Sequence, residues 1–359
     1  MNNQKITDYI ALAETSYADF TGADFFDKDS VNPAIIRTNK SGGDKGNESD
    51  RTPAFAKYIT NHYTVVAHYT DRLGTGFGED GPGNIVRHSG ESGFSATLFR
   101  EGETGKESPN PPKYILAMRG TWGFKDVAAD IGDIVRDGAA YEQIIDMYNF
   151  YQQLKAEKGK TYRAAKAETD IGLSVAYSAA IAAGPLATKA FEDKLRGKGY
   201  FIDGKPDGHN RALVKKISFV DSGERYAAGD ERVQGLGILS GHEKLIVSGH
   251  SLGGHLAAAF SRLFPDATEH AYLVNGAGFG NQYSITGSSL TSIPFNIAEL
   301  FGALGGVGEF DKNKITNFIG DKNFNIVAQN FKAGLVQAGK TIDTFIESGM
   351  GNNSTFGHG

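Results

Sequence analysis

Residues 244–260 read Lys244-Leu-Ile-Val-Ser-Gly-His-Ser-Leu-Gly-Gly-His-Leu-Ala-Ala-Ala-Phe260, and this stretch decides the fold. Leu245 to Val247 is an apolar run of the kind that forms a buried strand. A turn with glycine on both sides of Ser251 follows, and then small residues typical of a helix packed closely against a sheet. The pattern predicts a nucleophile elbow, in which a sharp turn presents a serine hydroxyl for attack on a substrate.

The short motif Gly249-His-Ser251-Leu-Gly253 is weak by itself. A chain with 47 glycines in 359 residues produces such matches by composition alone. The apolar strand before the motif and the small-residue helix after it make the prediction specific. The alternative is a glycine-rich strand-to-helix loop that carries an ordinary serine.

Size and composition describe a globular chain with a sizeable core. The 359 residues are 40% hydrophobic and suffice for one large α/β domain. A net charge of −5, with no dense run of lysine and arginine, argues against a nucleic-acid partner. The absence of cysteine excludes disulfides, thiolate metal sites and cysteine catalysis. Neither a cleavable signal peptide at residues 1–10 nor a transmembrane segment is expected from the hydropathy.

Periodicity places strands and helices along the whole chain. Helices are predicted at 4–19, at 124–158 and at an alanine-rich 161–197 that is interrupted near Gly184-Pro185. Strands are predicted at 63–69, 93–100, 113–118, 215–220, 244–248, 271–275 and 315–319. We therefore expect a single α/β-hydrolase domain over residues 1–359. It would have a mostly parallel central sheet, an antiparallel N-terminal strand pair and helices on both faces.

The catalytic base should follow the nucleophile, because α/β-hydrolases order their triad as serine, acid, histidine. Three histidines follow Ser251. His255 lies one turn into the predicted helix and is interpreted as a packing or surface residue, and His270 begins the next strand at its far end. His358, in a glycine-flanked loop, is therefore the predicted base, by elimination more than by motif.

The acid should lie just beyond a later strand. Asp321 ends Ile315-Thr-Asn-Phe-Ile-Gly-Asp321, where an apolar strand is followed by glycine and then a carboxylate at the carboxyl end. Asn325 is a rival position in the same loop, and an ordinary loop carboxylate is the alternative. Asp343 falls in a predicted helix and is not chosen.

The oxyanion hole needs two donors. One is the backbone N–H of Leu252, which follows the nucleophile at the positive end of the predicted helix. Thr121, in Arg119-Gly-Thr121-Trp-Gly123 after an earlier strand, is the candidate for the second donor. Trp122 is equally well explained as a packed or lid-facing aromatic residue.

Two apolar segments are candidates for a lid, residues 284–310 and residues 173–192. An ordinary core helix is an equally good interpretation of the first. Four aspartates fall on one predicted helical face, which is more typical of a solvated acidic face than of a calcium site. They are Asp126, Asp130, Asp133 and Asp137.

These motifs, in this order, resemble class-3 lipases. Among them the sequence looks similar to the catalytic portion of bacterial family I.3 lipases and to phospholipase A1-like enzymes, without the calcium-binding glycine/aspartate repeats. Three further segments carry the resemblance: Met118-Arg-Gly-Thr-Trp-Gly-Phe-Lys-Asp126, Asp130-Ile-Gly-Asp-Ile-Val135 and Ala11-Leu-Ala-Glu-Thr-Ser-Tyr-Ala-Asp19.

The resemblance implies a triacylglycerol lipase that acts through an acyl-enzyme and needs no cofactor for its chemistry, with calcium as an accessory ion. It also implies transient contact with a lipid interface and a secreted, bacterial protein exported without an N-terminal signal peptide. The elbow does not separate a lipase from a phospholipase A1, a lysophospholipase or a polyester hydrolase, because leaving-group preference depends on the pocket. A catalytically silent hydrolase-like binding or toxin module is the alternative outside enzymes.

Overall fold

The fold is known from a computed structural model. It describes residues 3–18, 20, 22–36, 51–70, 85–87, 92–107, 110–120, 134, 139–203, 212–280, 283–286, 289–319 and 335–343.

A mixed sheet of mostly parallel strands forms the centre of the molecule. Within the described residues it has eight strands in the order β15-β13-β9-β8-β4-β3-β1-β2. In that order they are Lys340–Asp343, Ile315–Ile319, Thr268–Val274, Leu245–His250, Tyr114–Met118, Ala96–Glu101, Tyr63–Thr70 and Ile85–Arg87. Strand β3 runs antiparallel to both of its neighbours, and every other pair is parallel. The predicted α/β class, the parallel sheet and the antiparallel pair are confirmed.

Helices lie on both faces of this sheet. The described helices are α1 (Asn3–Thr15), α2 (Lys28–Ile36), α3 (Pro53–His62), α4 (Tyr141–Lys155), α5 (Ile171–Ala182), α6 (Pro185–Leu195), α7 (Ser222–Arg225), α8 (Leu252–Leu263) and α9 (Ile293–Ala303). The break between α5 and α6 falls at Gly184-Pro185, as predicted, with Gly184 at φ 102°. None of the helices that the structure describes has the length and apolarity to span a bilayer.

Alternate residues of the central strands feed two separate hydrophobic cores. In β4, Leu116 and Met118 pack with α4, α8 and α9, whereas Ile115 and Ala117 pack with α1, α2 and α3. Strand β8 divides in the same way, with Val247 on the first face. Because both faces are covered, the central strands are apolar at nearly every position rather than at every second one. This burial holds the end of β8 rigidly in the middle of the molecule.

A smaller antiparallel sheet lies outside the central one and corrects two predictions. Its strands are β5 (Arg163–Thr169), β7 (Leu213–Asp221) and β6 (Tyr200–Asp203). The predicted helix over 161–197 is therefore wrong at its start, and the strand predicted at 215–220 does not belong to the parallel sheet. Strand β5 pairs along its full length with β7, and its Ala164 and Ala165 are buried in hydrophobic clusters. This pairing overrides the helical preference of alanine.

Two short pairs complete the strands, β10 (Phe279–Gly280) with β14 (Leu335–Val336) and β11 (Tyr283–Thr286) with β12 (Ser289–Ser292). Asp343, placed in a helix by the sequence pattern, instead ends β15 at the edge of the central sheet. That prediction is wrong because a four-residue edge strand is too short to show a clear period.

Candidate active site

Ser251 occupies the junction between β8 and α8, at the carboxyl end of a central parallel strand. Its backbone has φ 56° and ψ −120°, which a residue with a Cβ adopts only under strain. Hydrogen bonds hold this conformation: the Ser251 N–H donates to the Val274 carbonyl at 2.9 Å, and the Ser251 carbonyl accepts from Gly254 and Ala277 at 3.0 and 3.1 Å. The serine therefore sits on a sharp, well-supported turn.

The Ser251 side chain does not cap its own helix, although serine at a helix N-terminus usually does so. The residue is partly exposed, in contrast to its buried neighbour Leu252. The residue lies at the carboxyl end of β8, the edge of the sheet where α/β folds bind ligands.

Backbone crowding explains the glycines of the elbow. A Cβ on Gly249 would lie 2.2 Å from the carbonyl of Gly253, and a Cβ on Gly253 would lie 2.1 Å from the Met118 oxygen. A Cβ on Gly254 would come within 2.6 Å of the Gly276 Cα. Real Cβ atoms do not approach other atoms so closely, so the tight turn requires glycine at all three positions.

Leu252 is the first residue of α8. Its side chain packs with Ile134, Ala277 and Leu335 in a small buried cluster that secures the first helical turn. As the first helical N–H, that of Leu252 has no carbonyl one turn back within the helix, and it lies at the positive end of the helix dipole. This is a suitable environment for a developing oxyanion beside Ser251.

Strand β4 ends beside the elbow, and the segment that holds the second predicted donor follows it in the sequence. Arg119 continues the sheet pattern, its N–H donating to the Ser95 carbonyl at 3.0 Å. Gly120 then lies against the elbow, since a Cβ there would be 2.5 Å from the His250 carbonyl oxygen. The next residue is Thr121, which lies outside the described residues.

The predicted acid follows β13, two strands away from β8. Asn317 on this strand is fully buried and bonds both backbone groups of Gly276, at 3.0 and 3.2 Å, and the Gln337 side chain at 2.7 Å. The described strand ends at Ile319, so Asp321 itself lies outside the described residues. Asp343 is three strands from β8, about 14 Å at the usual strand spacing, which disfavours it as the acid.

The three histidines after Ser251 differ in their surroundings. His255 is fully buried, with Nδ1 bonded to the Gly278 carbonyl at 3.1 Å and Nε2 accepting from the Ala140 N–H at 3.3 Å. Burial lowers its pKa to about 4, so it is neutral and fully engaged. His270 bonds Thr316 on the neighbouring strand at 2.9 Å. His358 lies outside the described residues.

The aspartates Asp126, Asp130, Asp133 and Asp137 also lie outside the described residues, and calcium binding stays a prediction. Among the residues that are described, no cluster of three or more histidine or carboxylate side chains forms a metal site.

Two polar residues near the elbow were missed at the sequence level. The Tyr17 hydroxyl, just after α1, accepts from the Gly120 N–H at 3.0 Å and lies 3.3 Å from His250 Nδ1. The Glu14 carboxylate lies 3.9 Å from the same nitrogen. A tyrosine in a helical apolar pattern gives no sign of a partner 103 residues away.

Comparisons with known proteins add one distant similarity. No protein-family model matches the sequence, and no curated protein matches it. A similar solved structure is that of the Lip2 lipase from Yarrowia lipolytica, with 12% sequence identity and a TM-score of 0.32. The alignment covers 95% of this chain and 80% of that chain. Since a TM-score this low carries no inference about activity, the assignment of a function depends on the geometry around Ser251.

Proposed function

We propose that the protein is a serine hydrolase that cleaves carboxylic esters of lipids, with Ser251 as its nucleophile. The observation that carries the proposal is the strained backbone of Ser251 at the carboxyl end of a central parallel strand. Strain of this kind is retained where the surrounding structure enforces it, and at a strand-to-helix turn it exposes a nucleophile.

In the proposed reaction, His358 oriented by Asp321 accepts the Ser251 proton while the serine oxygen attacks the ester carbonyl. The N–H groups of Leu252 and Thr121 receive the negative oxygen of the tetrahedral intermediate. His358 then gives the proton to the departing alcohol, and an acyl-enzyme remains. Water, deprotonated by the same histidine, releases the fatty acid and restores the serine.

An exposed apolar surface supports a lipid substrate over a small soluble ester. The hairpin of α5 and α6 has no charged residue from Ile171 to Thr188. Ile171, Val175 and Leu186 expose 71%, 49% and 87% of their area on this hairpin. Exposed apolar side chains of this kind favour contact with a lipid surface. By contrast, α9 buries Leu300 and Phe301 completely. Of the two lid candidates, the segment 173–192 is therefore the better supported.

The test compares the wild-type protein with Ser251→Ala. We expect the wild type to hydrolyse a chromogenic fatty ester and to gain the mass of a fluorophosphonate at Ser251, and the variant to do neither. Equal hydrolysis by the two proteins contradicts the proposal, and an unlabelled wild type favours the silent module. Turnover of triacylglycerol, diacyl phospholipid, lysophospholipid and polyester then separates the substrate classes.

A further inference from the structure

We propose that Tyr17 is a positioning residue, which fastens Gly120, the residue before the predicted oxyanion donor, to His250 in the nucleophile elbow. The inference rests on the proposed function, because it assigns a role to Tyr17 in the reaction of Ser251.

Gly120 connects strand β4 to the predicted oxyanion donor. It lies one residue before Thr121, and it is the last described residue of the loop that leaves β4. Its N–H donates to the Tyr17 hydroxyl at 3.0 Å. A Cβ on Gly120 would lie 2.5 Å from that hydroxyl and 2.5 Å from the His250 carbonyl oxygen. The loop therefore starts wedged between Tyr17 and the residue that precedes the nucleophile.

The Tyr17 hydroxyl contacts both Gly120 and His250. Its oxygen accepts from Gly120 and also lies 3.3 Å from His250 Nδ1, within hydrogen-bond distance. Burial, followed by the nearby Glu14 carboxylate, raises the pKa of Tyr17. The phenol thus stays protonated and can serve both partners at once.

Helix α1, which ends two residues before Tyr17, is held firmly against the sheet. Helix α1 packs against the sheet through buried Leu12 and through Tyr9, which stacks on Tyr272 of β9 with ring centroids 5.2 Å apart. Asp8 accepts hydrogen bonds from Tyr58 and Tyr63 and anchors the middle of the same helix. The hydroxyl of Tyr17 is therefore a fixed point on the scaffold, not a mobile side chain.

A donor that stabilises an oxyanion has to be in place before charge develops, and small displacements of such groups are costly in rate. Without the Tyr17 hydroxyl, the Gly120 N–H loses its acceptor, and the loop start is free to move relative to Ser251. The loss should appear in the chemical step and not in substrate affinity.

The test uses Tyr17→Phe, with Tyr63→Phe as its matched control. Both changes remove one phenol hydroxyl that helps to hold the N-terminal segment, but only the first touches Gly120. With p-nitrophenyl butyrate we expect Tyr17→Phe to lower kcat about 10- to 100-fold with KM within about twofold, since the effect is on transition-state donors. Fluorophosphonate labelling of Ser251 should slow in parallel. Tyr63→Phe should keep both rates near those of the wild type.

A kcat for Tyr17→Phe within about twofold of the wild type, or a change confined to KM, overturns the inference while Ser251 labelling in the wild type upholds the proposed function. An equal loss in Tyr63→Phe also overturns it, because a general loosening of the N-terminal segment then explains the effect. Absence of wild-type labelling at Ser251 removes both proposals.

A second variant protects the test against misfolding of the first. Gly120→Ala places a methyl group against the same two neighbours, the His250 carbonyl and the Tyr17 hydroxyl. It should also slow labelling of Ser251, and the double variant with Tyr17→Phe should lose less than the product of the two single effects, because both act on one contact. Labelling of Gly120→Ala at the wild-type rate overturns the inference.

Discussion

At the scale of single residues, the elbow is built from backbone contacts that leave no room for side chains. Gly249 faces the carbonyl of Gly253, and Gly253 in turn faces the end of β4 at Met118. Tight backbone contact of this kind fixes Ser251 relative to both neighbouring strands. The serine can therefore hold a strained conformation that an isolated peptide would abandon.

A pair of glycine substitutions tests this crowding. Gly249→Ala should lower the free energy of unfolding by about 1–3 kcal/mol or more and abolish labelling of Ser251, because its Cβ has no space. Gly302→Ala, in α9, has nothing within 4 Å of its new Cβ and should raise stability by about 0.5 kcal/mol. Urea unfolding measures both values. Equal stability of the two variants would show that the elbow relaxes freely.

The residues that could be predicted at this scale are those whose signals are local in sequence. Ser251 and its glycines lie within a few positions of one another, so the sharp turn can be predicted from the local sequence. The contacts of Tyr17 with Gly120 and of Asn317 with Gln337 join distant parts of the chain. These partners are brought together by the folded sheet, so no short sequence pattern predicts the contacts.

At the scale of elements, the hairpin of α5 and α6 is unusual for a surface structure. Its inner side is held by Tyr177, which donates to Glu192 at 3.1 Å, and by Asp170, which caps α5 through the Leu173 N–H. Its exposed side chains are apolar at Ile171, Val175 and Leu186, whereas Lys189 and Asp193 are exposed farther along α6. A surface helix normally turns a polar face to water, so the apolar part of the hairpin supports the proposed lipid contact.

Substitutions on the outer face should separate lipid contact from chemistry. Leu186→Ser should leave stability within about 0.5 kcal/mol, because the side chain is exposed. We expect its turnover of emulsified triacylglycerol to fall about fivefold, since apolar area is lost from the lipid contact, while hydrolysis of a soluble butyrate ester is unchanged. Val307→Ser, exposed elsewhere, is the control. Equal losses in the two variants, or a loss on the soluble ester, would contradict a lipid-docking hairpin.

Elements were predictable where their signals are strong and local. The Gly184-Pro185 break and the apolar strands β4 and β8 appear at the predicted positions. Strand β5 was missed because alanine favours a helix, and its pairing with β7 is not visible in a local window. Sheet formation between segments about 50 residues apart depends on the rest of the core, which local reasoning does not contain.

At the scale of the whole molecule, His255 links several separate parts of the chain. From α8 it bonds the Gly278 carbonyl and the N–H of Ala140 before α4, and it stacks on Phe279 with centroids 3.9 Å apart. Because the ring is neutral and buried, protonating it would break this junction. The stability of the fold should therefore depend on pH through this residue.

The sign of the dependence follows from the two states. The pKa of His255 is about 4 when folded and about 6.5 when unfolded, so the unfolded chain binds more protons between these values. Its contribution is complete above about pH 6.5 and is lost as the pH falls toward 4, by roughly 2–3 kcal/mol at pH 4.5. Urea unfolding at pH 7.5 and 4.5 should show a smaller difference for His255→Gln than for the wild type. His242→Gln, at an exposed turn, should retain the wild-type difference; identical pH dependence in all three proteins would refute the assignment.

The parallel direction of most central strands was predictable, because helices separate several of them in sequence and parallel neighbours need crossover connections. Their order in the sheet was not predicted. The position of the small sheet formed by β5, β7 and β6 could not be predicted. It joins the main core through Phe201 and Ile217, and these contacts involve residues far apart in sequence. One domain over residues 1–359 stays a prediction, and a single calorimetric transition would support it.

The close contact of Gly249, Gly253 and Gly120 with neighbouring backbone has a consequence for protein engineering. No amino acid other than glycine fits these places, so substitutions at them cannot be used to tune the selectivity of the proposed enzyme. Mutant libraries should leave the three glycines unchanged. Exposed positions such as Ile171 and Leu186 can be exchanged without disturbing the turn at Ser251.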